Sequence, residues 1–214
     1  MMIHAYPEMY LSHAQAALGD AFDYAVNTCE IPGKKFTQMF LVSSASARLE
    51  NGEPAYLAGK SGIELAIEIV YETSGKELSE EPAEHFYRSR EYWIGWAAAW
   101  YQWYSDRTYR EIFTALPYDV LEIMYEPLHE ADITKFADIA AERMKACYPE
   151  TNLKRFRSIY GITQAELARR SGVSLRSIQM YEQRRKDINK ASAETLYRLS
   201  KVLGCSMERL IEKG

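Results

Sequence analysis

The stretch ITQAELARRSGVSLRSIQMYEQRRK, residues 162–186, decides the fold of the C-terminal part of the chain, because it predicts two short helices joined by a tight turn. Thr163 and Glu166 stand three residues apart and predict a capping box at the start of the first helix. Gly172 follows where a helix needs a left-handed exit. Ser174 can then cap a second helix, which therefore begins within one turn of the first.

The predicted second helix, residues 174–183, has an inward and an outward face. Ile178 and Tyr181 repeat at a spacing of three and are expected to pack on the first helix. This packing leaves on the outward side Leu175, Arg176, Gln179 and Met180. We interpret the outward face as a surface that reads DNA.

These residues resemble the XRE-type helix-turn-helix family of the Cro protein and the lambdoid phage repressors. The residues at the family's spacing are Thr163-Gln164-x-x-Leu167-Ala168, Gly172-Val173-Ser174, Ile178 and Tyr181-Glu182, and the segment from Glu194-Thr195-Leu196 to Met207-x-x-Leu210 looks like its last two helices. The resemblance runs from about Asn152 to Ile211 and implies a five-helix domain. Two departures stand out: Arg184 occupies a position where the family usually has Gly, and residues 187–191 lengthen the next connection.

The resemblance also implies roles for individual residues. Residues at the positions of Leu175, Arg176, Ser177 and Met180 approach base edges in that family, and the Gln at the position of Gln164 touches phosphate. The capping residues and the basic residues at the end of the stretch complete the set of predicted DNA-binding residues. This set is Thr163, Gln164, Ser174, Leu175, Arg176, Ser177, Gln179, Met180, Arg184, Arg185 and Lys186. We expect Arg176 to read a guanine, with Gln179 as a second base reader. The alternative for Arg176 is a phosphate contact.

Charge is divided unevenly along the chain, although the total is only −4. From Asn152 onward 14 Lys and Arg face six Asp and Glu, a net charge of +8, which leaves −12 for the residues before it. The basic part can neutralise DNA phosphates, whereas the acidic part would be repelled by the duplex or bind something basic. We therefore predict an acidic domain over residues 1–148 and a DNA-binding domain over residues 149–214, with Pro149 in the linker.

The acidic part has helical periodicity throughout. Its patterns predict helices at about residues 8–28, 35–49, 63–71, 83–106, 109–115, 118–125 and 131–147. Gly and Pro separate them, including Glu126-Pro127, and Val42-Ser43-Ser44 weakens the second. No strand pattern is found. The predicted fold class is all-α, with a helical N-terminal domain and a five-helix C-terminal domain.

The most distinctive segment of the acidic part is YWIGWAAAWYQWY, residues 92–104. Its tryptophans fall three or four apart on one helical stripe, and Gly95 with the alanines at 97–99 favours close helix approach. We favour a buried core for this stripe. An aromatic ligand pocket and a partner-binding groove stay open as alternatives. The segment is too short, and its flanks too charged, to cross a membrane.

Motifs that could carry other chemistry are incomplete. Gly59-Lys60-Ser61 resembles the end of a phosphate-binding loop, but Pro54 stands where that motif needs Gly. We therefore favour a capping box formed by Ser61 and Glu64. The scattered Cys29, Cys147 and Cys205 are interpreted as reduced core thiols. The histidines lack the spacing of a metal site, so we expect surface or capping roles for His4, His13, His85 and His129.

No catalytic set, metal site or cofactor site is therefore predicted, and the chain is not expected to be an enzyme. The beginning MMIHAYPEMY lacks the features of a signal peptide, so we expect a cytoplasmic protein.

Three hypotheses for function follow. The first is a transcriptional regulator, a repressor, that binds double-stranded DNA as a homodimer on a pseudo-palindromic operator. In this hypothesis the N-terminal domain dimerises or senses a signal. The second is an antitoxin whose N-terminal domain neutralises a toxin or another basic protein and whose C-terminal domain represses its own operon. The third is a small-molecule sensor or enzyme lined by the aromatic segment.

Overall fold

The computed structural model describes residues 4–81 and 88–212, and within these ranges the chain is helical and contains no strand. The predicted all-α class is confirmed. The chain divides into two compact units, of which the first ends at Cys147 and the second begins at Tyr148. The helices of the first unit are α1 (Leu11–Asp23), α2 (Gly33–Val42), α3 (Ser44–Glu50), α4 (Pro54–Leu57), α5 (Gly62–Ser74), α6 (Arg90–Ser105), α7 (Tyr109–Ala115), α8 (Tyr118–Leu128) and α9 (Ile133–Cys147).

Helix α1 is the centre of the first unit, because α5 and α6 both pack against it. Glycines permit the close approach. A Cβ atom on Gly95 of α6 would lie 2.4 Å from the backbone oxygen of Leu18, and one on Gly62 of α5 would lie 2.6 Å from that of Ala17. The predicted role of Gly95 is confirmed. Helix α1 continues into a π-helical turn, Tyr24–Thr28.

Aromatic rings fill the space around α1. Phe22 meets Phe36 edge to face at a centroid distance of 5.0 Å, and Phe40 meets the fully buried Tyr109 in the same way at 4.9 Å. Such pairs add to the free energy of burial because ring edges and faces carry opposite partial charges. This cluster ties α1, α2 and α7 into one core.

The aromatic segment of α6 splits between core and surface. Trp93 and Trp103 are buried, so the predicted core role is confirmed for these two, and the Trp103 indole N–H donates to the Tyr6 carbonyl at 2.9 Å. Trp96 and Trp100 are half-buried. The four therefore do not share one environment. The predicted start of this helix falls at residues 82–87, outside the described residues.

Three local predictions for the first unit are corrected. The second predicted helix is two helices, because Ser43 is extended and its hydroxyl donates to the Phe40 carbonyl at 2.8 Å. Pro127 does not end α8, which runs to Leu128, since a proline one residue from the end sacrifices few backbone hydrogen bonds. The short helix α4 lies outside the predicted helices. Its only signal is Pro54 at the first position, which fixes a helical φ.

The other residues singled out from the sequence lie in different environments. Ser61 and Glu64 form the predicted capping box, and Lys60 pairs with Glu68. His129 Nδ1 lies 3.0 Å from the Tyr125 carbonyl oxygen, and the His4 ring stacks on Trp103 at a centroid distance of 3.6 Å. His13 is exposed, and His85 is outside the described residues. All three cysteines are free, but Cys147 is exposed and Cys205 half-buried, so the prediction of core thiols holds only for Cys29.

The second unit contains α10 (Asn152–Tyr160), α11 (Gln164–Ser171), α12 (Leu175–Glu182) and α13 (Ala193–Leu203), followed by the 3₁₀ helix Glu208–Leu210 in the fifth position. Its core is a cluster of ten buried apolar residues that every one of these elements enters: Leu153, Leu167, Val173, Ile178, Tyr181, Ile188, Leu196, Leu199, Leu203 and Leu210. The unit therefore has its own hydrophobic core.

Candidate nucleic-acid interface

The first helix of the predicted pair, α11, begins at Thr163. The Thr163 hydroxyl accepts a hydrogen bond from the Glu166 amide at 3.1 Å, as predicted. The prediction that the Glu166 side chain in turn accepts from the Thr163 backbone amide is wrong. The Glu166 carboxylate pairs instead with Arg169 at 2.6 Å and Arg170 at 2.5 Å, and the hydrogen bonds from these guanidinium groups lower its pKa to about 2. Two of the module's cations are thereby neutralised on α11 itself.

The turn between α11 and α12 has the predicted geometry. Gly172 has φ of +69°, a left-handed conformation that L side chains rarely adopt. The Ser174 hydroxyl accepts from the Ser177 amide at 3.1 Å and donates to the Ser177 hydroxyl at 2.9 Å, so both predicted site serines are engaged in the cap. This cap fixes the direction in which α12 leaves the turn.

Helix α12 has the predicted inward and outward faces. Ile178 and Tyr181 are buried in the core cluster. Leu175, Arg176 and Gln179 are exposed, and Met180 is half-buried beside them. An exposed leucine among polar groups on a short helix is available for contact with an apolar group such as a thymine methyl.

A buried ion pair holds α12 against α10. The Arg157 guanidinium donates to both carboxylate oxygens of Glu182, at 2.6 and 2.9 Å, and the Gln164 amide donates to the same carboxylate at 2.7 Å. The Glu182 side chain is only 2% exposed. These contacts join three helices and orient Gln164 at the start of α11. No local pattern in the sequence marks the role of Arg157.

The connection after α12 begins at Arg184, whose φ is +53°. A left-handed residue is required here, which explains why a glycine suits this position. The Arg184 guanidinium donates to the Pro149 carbonyl at 2.7 Å and pairs with Glu212 at 3.1 Å. The longer connection then forms a 3₁₀ turn, Ile188–Lys190, anchored by the buried Ile188.

The cations of the unit differ in whether an acid neutralises them. Among the described arginines and lysines, those that pair with carboxylates include Lys154, Arg157, Arg169, Arg170, Arg184, Lys190 and Arg198. The Arg155 guanidinium lies over the Phe156 ring at 4.9 Å. Arg176 on α12, and Arg185 and Lys186 just after it, are exposed and have no carboxylate partner in this part of the chain. Lys186 lies over the Tyr181 ring at 5.1 Å. Lys201 and Arg209 also lack a carboxylate partner among the described residues. Three of these five uncompensated cations therefore lie on α12 or just after it.

Other site types find no support in the described part of the chain. No group of three or more His, Cys, Asp or Glu side chains there could hold a metal ion. No helix in the same ranges is long and apolar enough to cross a membrane.

Comparison with known proteins agrees with this geometry. The family model described as Helix-turn-helix matches residues 153–210, which extend from α10 to the last 3₁₀ helix. No curated protein and no solved structure matches the chain. The predicted resemblance of the C-terminal module to XRE-type helix-turn-helix proteins is confirmed.

Proposed function

We propose that the protein is a sequence-specific repressor, because its residues 153–210 form a helix-turn-helix module of a DNA-binding type. In this proposal α12 inserts into the major groove. The observation that carries the proposal is the position of the unneutralised cations. Arg176, Arg185 and Lys186 lie on and just after α12, whereas most other described cations of the unit pair with carboxylates. Phosphate attraction is therefore strongest where the reading helix lies.

Base recognition is assigned to the outward face of α12. Arg176 can donate two hydrogen bonds to guanine O6 and N7, which is the commonest specific contact in the major groove. Gln179, one turn further on, can pair with adenine. Leu175 and Met180 provide apolar surface for a thymine methyl. Four adjacent side chains of different chemistry support recognition of a short, defined half-site.

Phosphate contacts position the module without reading sequence. We assign them to Arg185, Lys186 and the amide group of Gln164, which its bond to Glu182 orients. Thr163 and Ser174 contribute as caps, because each accepts one amide and so fixes the N-terminus of its helix, and helix N-termini attract phosphates. Ser177 completes the cap of α12.

The repressor is proposed to act as a homodimer on a pseudo-palindrome, because one short reading helix touches too few base pairs to be selective. The half-sites should lie about one helical turn apart, roughly 34 Å. Sedimentation of the full chain, free and on its operator, tests this proposal. A monomer in both states would contradict it.

An antitoxin is the second candidate, and the net charge of −12 before Asn152 favours it. An acidic unit can cover a basic surface of a toxin, while the module represses the shared operon. The test is expression of a small neighbouring gene with and without this chain. If the neighbouring gene is toxic and this chain suppresses the toxicity, the antitoxin function is supported. If no such toxicity is found, only the repressor proposal stands.

DNA recognition itself is tested with a pool of random duplexes. The full chain should enrich a pseudo-palindromic sequence, and its affinity should fall steeply with salt because bound cations displace counterions. The matched control is a truncation that ends at residue 147. If that fragment held the enriched duplex as tightly as the full chain, the assignment to the C-terminal module would be wrong.

A further inference from the structure

Glu212, at the end of the described chain, joins the start of the C-terminal unit to the loop after α12. Its carboxylate accepts from the Asn152 amide and from Arg184. Its backbone exchanges two hydrogen bonds with the Asn189 side chain, at 2.8 and 2.6 Å. Arg184 extends the set to the Pro149 carbonyl. We call these five residues the clasp.

The backbone at Arg184 opposes the presence of an arginine. Its φ of +53° is a conformation that glycine adopts readily and other L residues rarely do. An arginine here therefore carries backbone strain that a glycine would avoid. The two contacts it makes, to the Pro149 carbonyl and to Glu212, are both within the protein.

Polar contacts, and not packing, hold the clasp closed. A cavity of about 240 Å³ opens between Arg184, Glu212 and the nearby Tyr181 and Ile188. The Arg184 side chain is 50% exposed, and an ion pair this open contributes little to the stability of a fold. The core cluster stabilises the unit without it, so the effect of the clasp falls on the position of the loop.

We propose that Arg184 is a positioning residue and not a DNA contact: through the clasp it fixes residues 184–190, which carry Arg185 and Lys186, in the position from which these two cations meet phosphate. This inference rests on the proposed function. It also links the loop to the linker, because one acceptor in the clasp is the carbonyl of Pro149.

The two roles of Arg184 predict opposite effects of a change at Glu212. If Arg184 is a positioning residue, loss of the Glu212 charge loosens the loop and weakens DNA binding. If Arg184 is a phosphate contact that Glu212 competes for, loss of that charge frees the guanidinium and tightens binding. The sign of one substitution therefore separates the two roles.

The test uses full-length Arg184→Gly, Glu212→Gln and the double variant on the enriched duplex. Each single variant should lower affinity about 3- to 10-fold, as the loss of one or two hydrogen bonds does. The double variant should be no weaker than the weaker single one, because both act through the clasp. The slope of affinity against salt should not change. Arg185→Ala, the matched control, should reduce that slope by about one.

Hydrogen exchange without DNA provides an independent measurement. The amides of residues 185–190 should exchange faster in both single variants than in the parent chain, and should not do so in Arg185→Ala. If Glu212→Gln tightens binding, or if exchange and affinity are unchanged in both variants, the proposal is overturned. If the parent chain binds no duplex, the proposed function fails, while the exchange result still decides whether the clasp positions the loop.

Discussion

The Arg157 guanidinium in α10 donates to both carboxylate oxygens of Glu182 in α12, and the two side chains are 14% and 2% exposed. The hydrogen bonds that Arg157 donates to Glu182 are the main cause of the raised pKa of Arg157. A charge pair removed from water in this way is stabilising only while both partners are present, because an isolated buried charge has lost its hydration.

Glu182→Ala should therefore lower the free energy of unfolding of the C-terminal unit by about 3 kcal/mol, since it leaves Arg157 unpaired. Urea unfolding of the full chain measures the change. The matched control is Glu194→Ala, which removes a pair with Arg198 whose side chains are 71% and 49% exposed and should change stability by less than about 1 kcal/mol. Equal effects of the two variants would show that the buried pair carries no special stability.

These contacts also show what the sequence can and cannot predict. The caps at Thr163 and Ser174 were predicted because a cap joins residues only three apart. Arg157 and Glu182 are 25 residues apart, and Arg184 reaches Pro149 over 35 residues. No local pattern marks such pairs, because the fold of the intervening chain brings them together. The helices of the module and the outward face of α12 were therefore predictable, whereas the engagement of Arg184 was not.

Gly95→Ala tests the crossing of α1 and α6. Helix propensity alone predicts that this change stabilises α6 by about 1 kcal/mol. The added methyl would instead lie 2.4 Å from the Leu18 carbonyl oxygen and 3.0 Å from the Gly19 Cα, and neither backbone can move aside easily. We expect a net loss of about 1–3 kcal/mol, measured as a lower Tm of the first unit. An unchanged or raised Tm would mean that the two helices can separate without loss of packing.

Glu91 should make the first unit sensitive to acid. Burial by itself raises the pKa of this carboxyl, but hydrogen bonds from Arg90, its own backbone and Asn27 outweigh burial and lower the pKa. Because the folded pKa is below the unfolded value of about 4.3, the stabilisation is complete above that value and is lost as pH falls through the folded pKa.

The measurement is the free energy of unfolding between about pH 6 and pH 3. The decline at the acid end should be shallower in Glu91→Gln than in the parent chain. Glu130→Gln, at an 89% exposed side chain, is the control for loss of one negative charge. Parallel curves for Glu91→Gln and the parent would assign the acid sensitivity to other carboxylates.

Arg176→Ala tests base reading on α12. The guanidinium is exposed and, within the described ranges, unneutralised, and its place in the first turn of α12 allows it to reach a base edge. Two hydrogen bonds to guanine are worth about 1–3 kcal/mol of discrimination, so the variant should lose preference at one position of the enriched duplex and bind unrelated DNA almost as well as the parent. Arg198→Ala, the matched control, removes the same charge from α13, where the guanidinium pairs with Glu194 at 2.5 Å, and should keep the preference. If Arg176→Ala weakened binding to every sequence equally and reduced the salt slope by about one, Arg176 would be a phosphate contact, and Gln179 with Leu175 would remain as the base readers.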